Sequence, residues 1–252
     1  MGSILRVIKE FFNGVKPDMM FIDIDGVMTI TRGSYILDLD VVKLLREVES
    51  LKLPICLTSG NAYPVVLTLQ RYLGFSSLFI AENGCVIHIN KNYIKLCRES
   101  LDPIVEEISK RFGLPKSDSN LYRFCDRAFR ITGDLRSNIS RVREIEKEIM
   151  NLYPNIYALY TGYVMHIYPK DCDKGRAMEI IAENLNIDLG RSIAIGDSVT
   201  DIPMLKKVGF GVAVGDADEE LKSIARLVLP FKASESTKIF LLELIEYLKS
   251  IG

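Results

Sequence analysis

Residues 19–24, MMFIDI, form an apolar run that ends among acids, the pattern of a buried parallel strand carrying functional groups at its carboxyl end. A strand of this kind needs helices and further strands around it, and the residues that follow supply them. Asp38 precedes Val41, Leu44, Leu45 and Val48 at helical spacing, residues 54–57 read as a strand, residues 64–73 as a helix closed by Gly74, and residues 78–81 as a third strand. Strands and helices alternating through short links predict an α/β protein with a doubly wound, Rossmann-like parallel sheet, in which ligands bind beyond the carboxyl ends of the strands.

The pattern changes over residues 85–167. Two short strands (86–89 and 93–96), a helix near 103–112, a strand at 128–132, a helix at 138–152 and strands near 156–159 and 164–168 mix hairpins with helices, which predicts an inserted α+β cap. Alternation then returns, with helices at 174–185, 202–208, 219–225 and 235–251 between strands at 192–195, 211–214 and 227–229. The expected organisation is a discontinuous core, residues 1–84 and 168–252, interrupted by a cap at 85–167. Within residues 1–16, Ile4, Leu5, Ile8, Phe11 and Phe12 share one helical face, so a helix packed on the body is expected over one docked on a membrane surface. Arg6 and Lys9 interrupt what a signal peptide would need as its apolar segment.

Composition narrows the function classes. A chain of 252 residues, 48% hydrophobic and 26% charged, buries a sizeable core and is not disordered. Its 32 basic and 33 acidic side chains give a net charge of −1, which argues against a nucleic-acid partner. No apolar run reaches the roughly 18 residues of a membrane span. Five cysteines, none two or three apart and most in apolar stretches, read as reduced thiols in a cytoplasmic protein. One glutamine, no tryptophan and abundant Ile, Leu, Lys and Glu suit a thermophile source. Either a monomer or a homodimer is expected.

Asp23 and Asp25, in FIDIDGVMT, lie two apart at a strand end, so their side chains point the same way until the chain turns at Gly26. Two carboxylates in one place repel unless a cation intervenes or one is protonated, and Mg²⁺, a hard ion bound by oxygen, fits. AIGDSVTD repeats the arrangement, with Asp197 after an apolar strand and Asp201 one helical turn on. If the two strands are neighbours, Asp23, Asp25, Asp197 and Asp201 form a metal cradle. In ICLTSGN, Ser59, Gly60 and Asn61 follow the second strand and offer a hydroxyl and glycine-backed amides to phosphate oxygens. Lys174 opens a helix, where its charge is unfavourable unless an anion offsets it. The plain alternatives are turn-forming acids and glycines, an N-cap at Asp197 and a solvated lysine.

Taken in order, DxD, a hydroxyl residue after a strand, a lysine and GDxxxD resemble the haloacid dehalogenase superfamily of phosphohydrolases. The resemblance extends over most of residues 19–230 and includes AENG at 81–84 and GVAVGDADEELKSIARLV at 211–228. LTSGNAYPVVLTLQRYLG followed by IAENG looks like the archaeal phosphoglycolate phosphatase branch. The resemblance implies that Asp23 attacks phosphorus to form an aspartyl-phosphate and that Asp25 protonates the leaving alcohol and then activates water. It further implies that Ser59 and Lys174 stabilise the phosphoryl group, and that Asp23, the Asp25 backbone carbonyl, Asp197 and Asp201 hold Mg²⁺. Relatives usually carry Asn immediately before the last acid of GDxxxD, where this chain has Thr200, so one phosphate or substrate contact is in question.

Caps in this superfamily select the substrate, a small phosphorylated metabolite. Arg123, Arg127, Arg130 and the polar hairpin at 160–163 are candidates for its distal part, since a guanidinium binds a carboxylate in bidentate fashion. His88 and His166 read as strand residues, because neither has an acid or cysteine at a recognisable spacing, and Cys85 and Cys125 read as packing residues. The expected activity is Mg²⁺-dependent hydrolysis of phosphoglycolate or a related small acid or sugar phosphate. The alternatives are a phosphosugar mutase of similar architecture and a phospholigand-binding module without catalysis.

Overall fold

The computed structural model describes residues 2–162 and 164–252, with the side chains of residues 2 and 3 excepted. Tyr163, at the end of the polar hairpin, lies outside the described residues. In chain order the elements are α1 (Gly2–Phe12), β1 (Met20–Asp23), α2 (Leu39–Ser50), β2 (Ile55–Thr58), α3 (Tyr63–Leu73), β3 (Leu78–Ala81), β4 (Val86–Ile89) and β5 (Asn92–Lys95). They continue with α4 (Asp102–Phe112), β6 (Arg127–Arg130), α5 (Gly133–Ser137), α6 (Ile139–Leu152), β7 (Ile156–Tyr160) and β8 (Val164–Pro169). The remainder is α7 (Lys174–Leu185), β9 (Ile193–Gly196), α8 (Ile202–Lys207), β10 (Phe210–Ala213), α9 (Glu219–Lys222), β11 (Leu227–Val228) and α10 (Ala233–Ile251).

The large sheet has the order β11-β10-β9-β1-β2-β3-β4-β5, parallel from β11 to β3. All four residues of β1, β2, β3 and β9 are buried, as strands covered by helices on both faces must be. Connections run from β1 through β2 to β3 on one side and from β9 through β10 to β11 on the other, so the order reverses between β1 and β9. That reversal opens a crevice at the carboxyl ends of these strands. Register sharpens the placement: Asp23 lies opposite Thr58, and Ile22 lies opposite Ile195 two residues before Asp197.

The hairpin β4–β5 corrects the expected cap boundary at residue 85. It pairs antiparallel with β3 and extends the large sheet instead of joining the inserted unit. Two short strands joined through the left-handed Asn90 and Lys91 mark a hairpin but not which sheet edge it covers. The chain reverses directly after β3 through a 3-10 turn in which Glu82 and Asn83 are both left-handed, at φ 53° and 56°, and this lays β4 back along its neighbour.

A second sheet, β6-β8-β7, is antiparallel, and its apolar cluster is drawn only from residues 101–167. Val105 and Ile108 of α4 and Val142, Ile145 and Ile149 of α6 meet Phe129, Met165 and Ile167 there. The alternation that aims Met165 and Ile167 at these helices aims His166 the opposite way, toward the large sheet.

Two expectations about the surface and the thiols resolve differently. The apolar face of α1 is spent inside the protein: Ile4, Ile8 and Phe12 are buried, Phe12 packs on Phe210 and Tyr247, and the Tyr247 hydroxyl donates to Val15 O at 2.8 Å. No described helix is long and apolar enough to cross a membrane. By contrast, Cys97 and Cys125 form a disulfide, with Cα atoms 5.5 Å apart across 28 residues, so the expectation of five reduced thiols is corrected. Cys56, Cys85 and Cys172 are free and buried. The pair meets because residues 123–126 fold back onto the β3–β4 turn, where the buried Glu82 carboxylate accepts the N–H groups of Phe124, Cys125 and Asp126.

Candidate active site

The carboxyl ends of β1, β2 and β9 and the start of α7 border one cleft of about 610 Å³, lined by Asp23, Asp25, Gly60, Asn61, Lys174, Asp197 and the cap residues opposite them; Ser59 and Asp201 are not among its lining residues. The volume suits a small-molecule site. Carboxylate oxygens of Asp23, Asp197 and Asp201 lie within 4.8 Å of one another, all three residues buried. Close approach depends on missing side chains: a Cβ at Gly26, whose φ is +80°, would collide with the Asp197 carboxylate, and one at Gly196 would sit 2.5 Å from Cβ of Asp201.

Lys174 opens α7 and is 1% exposed. Its Nζ donates to Asp23 Oδ1 and Asp201 Oδ1, both at 2.5 Å. The anion that offsets its charge at the helix start is therefore supplied by the protein, where a phosphate was expected. Burial disfavours the ammonium, but the Asp201 and Asp23 charges outweigh it and hold the Lys174 pKa above its ordinary value. One of its three N–H donors remains for a ligand. Asp201 also accepts the N–H groups of Asp197 and Ser198, at 2.9 and 3.1 Å.

Asp25 turns away from the other three acids. Its Oδ2 accepts Asn61 Nδ2 at 2.7 Å and Ser59 Oγ at 3.3 Å. The loop amides differ from expectation, because Ser59 N donates to Ile80 O and Asn61 N to Ser59 Oγ. Only the Gly60 amide among these three has no protein acceptor within the described residues. Thr200 lines the cleft, with its hydroxyl 2.7 Å from Ser198 Oγ.

Several contributors were not singled out from sequence. Arg32, on the loop after β1, meets Asp197 Oδ2 through Nε at 2.6 Å and Asp218 Oδ1 through Nη2 at 2.9 Å. Asp218 also accepts Val199 N at 2.9 Å, which anchors the loop carrying Asp197. On the cap side, Asp126 is wholly buried between Asn83, Arg123 and His166. His166 thus does have an acid partner, forty residues away in sequence. His88 is the strand residue expected, in β4, stacked on Phe79 and bonded to the Tyr63 hydroxyl. Of the other candidate arginines, Arg127 bonds Asp102 and Arg130 faces Asp118, so neither reaches the cleft.

The electrostatics call for a cation. Burial first, then the neighbouring acids, raise Asp23 well above the usual carboxylate range against the pull of Lys174. Burial also raises Asp25, against Ser59, Lys174 and Asn61. Asp197 is pushed up to about 7 by burial and by Asp201, against Arg32 and Lys174. Three clustered carboxylates, all oxygen donors and short of positive charge, fit a hard divalent ion such as Mg²⁺.

A pH dependence follows for the metal-free protein. Between about 4 and 7 the folded state keeps a proton on Asp197 that the unfolded chain has lost, so stability is complete below that window and falls as pH rises through it. The raised Asp23 and Asp25 act in the same direction. The melting temperature in EDTA is expected to drop from pH 5 to pH 8, with added Mg²⁺ recovering most at pH 8. A melting temperature in EDTA that climbs over this range would contradict the assignment.

Relatives share this architecture. The family model of haloacid dehalogenase-like hydrolases matches residues 20–123 and 106–238. The protein named phosphoglycolate phosphatase in Sulfolobus acidocaldarius is 33% identical over 227 residues, covering 90% of this chain and 96% of that protein. Phosphoglycolate phosphatase 1 of Saccharolobus solfataricus is 33% identical over 231 residues, with 90% and 96% covered. A Thermoplasma acidophilum protein of solved crystal structure matches with a TM-score of 0.79 at 23% identity, over 92% of this chain and 99% of its own, which is a likeness of fold. With the acids of β1 and β9, the hydroxyl of β2 and the lysine of α7 at one crevice, this chain belongs to the haloacid dehalogenase-like hydrolase family.

Proposed function

We propose that the protein is a Mg²⁺-dependent phosphomonoester hydrolase of small phosphorylated acids, phosphoglycolate foremost, working through an aspartyl-phosphate. The observation that carries this is the division of the two strand-end acids. Asp23 sits among Lys174, Asp197 and Asp201, where the lysine together with a bound divalent ion would neutralise phosphoryl oxygens, while Asp25 is held aside by Ser59 and Asn61 as a proton carrier.

In the first step an Asp23 carboxylate oxygen bonds to phosphorus, the ester P–O bond breaks, and the departing oxygen takes the proton of Asp25. Burial, which raises the Asp25 pKa, favours the protonated form this step needs. In the second, water attacks the phosphorus, Asp25 takes its proton, and the bond to Asp23 breaks to release phosphate. Lys174 steadies the phosphoryl oxygens with its remaining donor, and Ser59 and Asn61 fix the Asp25 carboxyl. Asp23, Asp197 and Asp201 would hold Mg²⁺ through side chains and Asp25 through its backbone carbonyl; once bound, the ion offsets the charge of the acids and of the phosphoryl group.

The names of the Sulfolobus and Saccharolobus relatives support phosphoglycolate as substrate. The apolar cluster confined to residues 101–167 supports a cap that closes over the crevice. The test is phosphate release from phosphoglycolate, sugar phosphates, nucleotides and p-nitrophenyl phosphate, each with Mg²⁺ or EDTA. Release is expected to require Mg²⁺ and to be fastest from phosphoglycolate. An isomerised sugar phosphate without free phosphate would instead identify a mutase, and no reaction with any compound would leave a binding module.

A further inference from the structure

The cap lining of the cleft is cationic and contains no acid open to it. Asp23, Asp25 and Asp197 are the carboxylates of the lining, and all belong to the large-sheet side, whereas Arg123, Arg136 and His166 face them from the cap. The metal and the phosphoryl group account for the acidic half. The basic half calls for a second anionic group on the same ligand.

Arg123 and His166 are aimed by one acid. Asp126 Oδ2 accepts Arg123 Nη1 at 2.9 Å and His166 Nδ1 at 2.8 Å, and Asn83 Nδ2 fixes the same carboxylate at 2.8 Å. Arg123 is held further by Nη1 to Gly60 O at 2.9 Å and by Nε to Ser119 Oγ at 3.2 Å. Arg123 is 8% exposed and His166 6%, yet Nη2 of the first and Nε2 of the second have no partner among the described residues. The one described side-chain polar atom that is both sealed from solvent and unpaired is the Tyr153 hydroxyl, so the two open nitrogens reach the cleft.

We propose that Arg123 Nη2 and His166 Nε2 form the subsite that binds the substrate's carboxylate, with Asp126 and Asn83 as positioning residues. The inference rests on the phosphatase reading above and names the groups that give it its specificity. The Asp126 carboxylate on Nδ1 fixes the imidazole orientation with Nε2 toward the cleft, and an imidazole protonated on both nitrogens donates from Nε2 to a carboxylate beside the Arg123 guanidinium. Arg123 binds Gly60 O, and the adjoining Ser59 and Asn61 bind Asp25, so the carboxylate seat adjoins the loop that positions Asp25.

The test compares kcat/KM for phosphoglycolate with that for ethyl phosphate, which lacks the carboxylate, in the wild type and in His166→Gln, Arg123→Met and Asp126→Asn. The loss on phosphoglycolate is expected to exceed the loss on ethyl phosphate by roughly ten- to hundredfold, mainly in KM, as for a lost charge-assisted hydrogen bond. Free glycolate should inhibit the wild type competitively and His166→Gln far more weakly; this arm is independent of whether Arg123→Met folds. Equal losses on both esters, with glycolate inhibition unchanged in His166→Gln, would overturn the subsite while leaving the phosphatase intact. A wild type that releases phosphate from neither ester would overturn the function and the subsite together.

Discussion

Asp23→Asn is expected to abolish phosphate release and leave the fold in place. The amide has the shape of the carboxylate and its oxygen still accepts Lys174 Nζ, but it cannot attack phosphorus. Loss of a nucleophile costs on the order of 10⁵ to 10⁶-fold in kcat. The same change removes a charge from a cluster that repels itself, since burial and the neighbouring acids already hold Asp23 above the usual carboxylate range. Its melting temperature in EDTA at pH 8 should therefore equal or exceed that of the wild type. Steady-state phosphate release with saturating Mg²⁺ and melting curves decide the matter together. A folded variant that keeps a tenth of the wild-type rate would remove Asp23 from the nucleophile's role, whatever the metal does.

What the sequence made legible is the part of the site that hangs on strand ends. Asp23 and Asp25 follow one apolar run and Asp197 follows another, and parallel pairing of buried strands brings their carboxyl ends together. Lys174 was marked by an electrostatic misfit at a helix start, and the misfit is real, although two carboxylates relieve it. Features that depend on return of the chain over long separations stayed hidden. The β4–β5 hairpin is plain as a hairpin, but its sheet is chosen by the left-handed Glu82 and Asn83. Asp126 and His166 pair across forty residues, and no spacing rule links them. Glu82 looks like any acid in a turn until three backbone N–H groups are found on it. The Cys97–Cys125 bond escaped because two cysteines 28 residues apart carry no pairing signal in their spacing, and their meeting depends on the fold-back of residues 123–126 onto the turn at Glu82.

Lys174→Met separates what the lysine does for the fold from what it does for the reaction. Methionine fills similar volume, so packing is kept, but Asp23 and Asp201 lose the ammonium that bridges them, the one such bridge among the described residues. Breaking a buried pair by removing one partner costs about 3 to 5 kcal/mol, because an uncompensated charge is left behind. Protonation of Asp23, which burial and the neighbouring acids already favour, relieves that cost, so the destabilisation relative to wild type should be greatest near pH 8 and shrink toward pH 5. Added Mg²⁺ should recover part of the stability, since a divalent ion offsets the same acids. It should not recover turnover, because the donor that Lys174 keeps for a phosphoryl oxygen is gone; loss of one such preorganised donor costs about 10² to 10³-fold in kcat. Melting curves across pH with and without Mg²⁺, set beside kcat at saturating Mg²⁺, read the two roles separately. If the Mg²⁺-loaded variant turns over within about threefold of wild type, Lys174 serves only to hold Asp23 and Asp201 together, and the phosphoryl group is stabilised elsewhere.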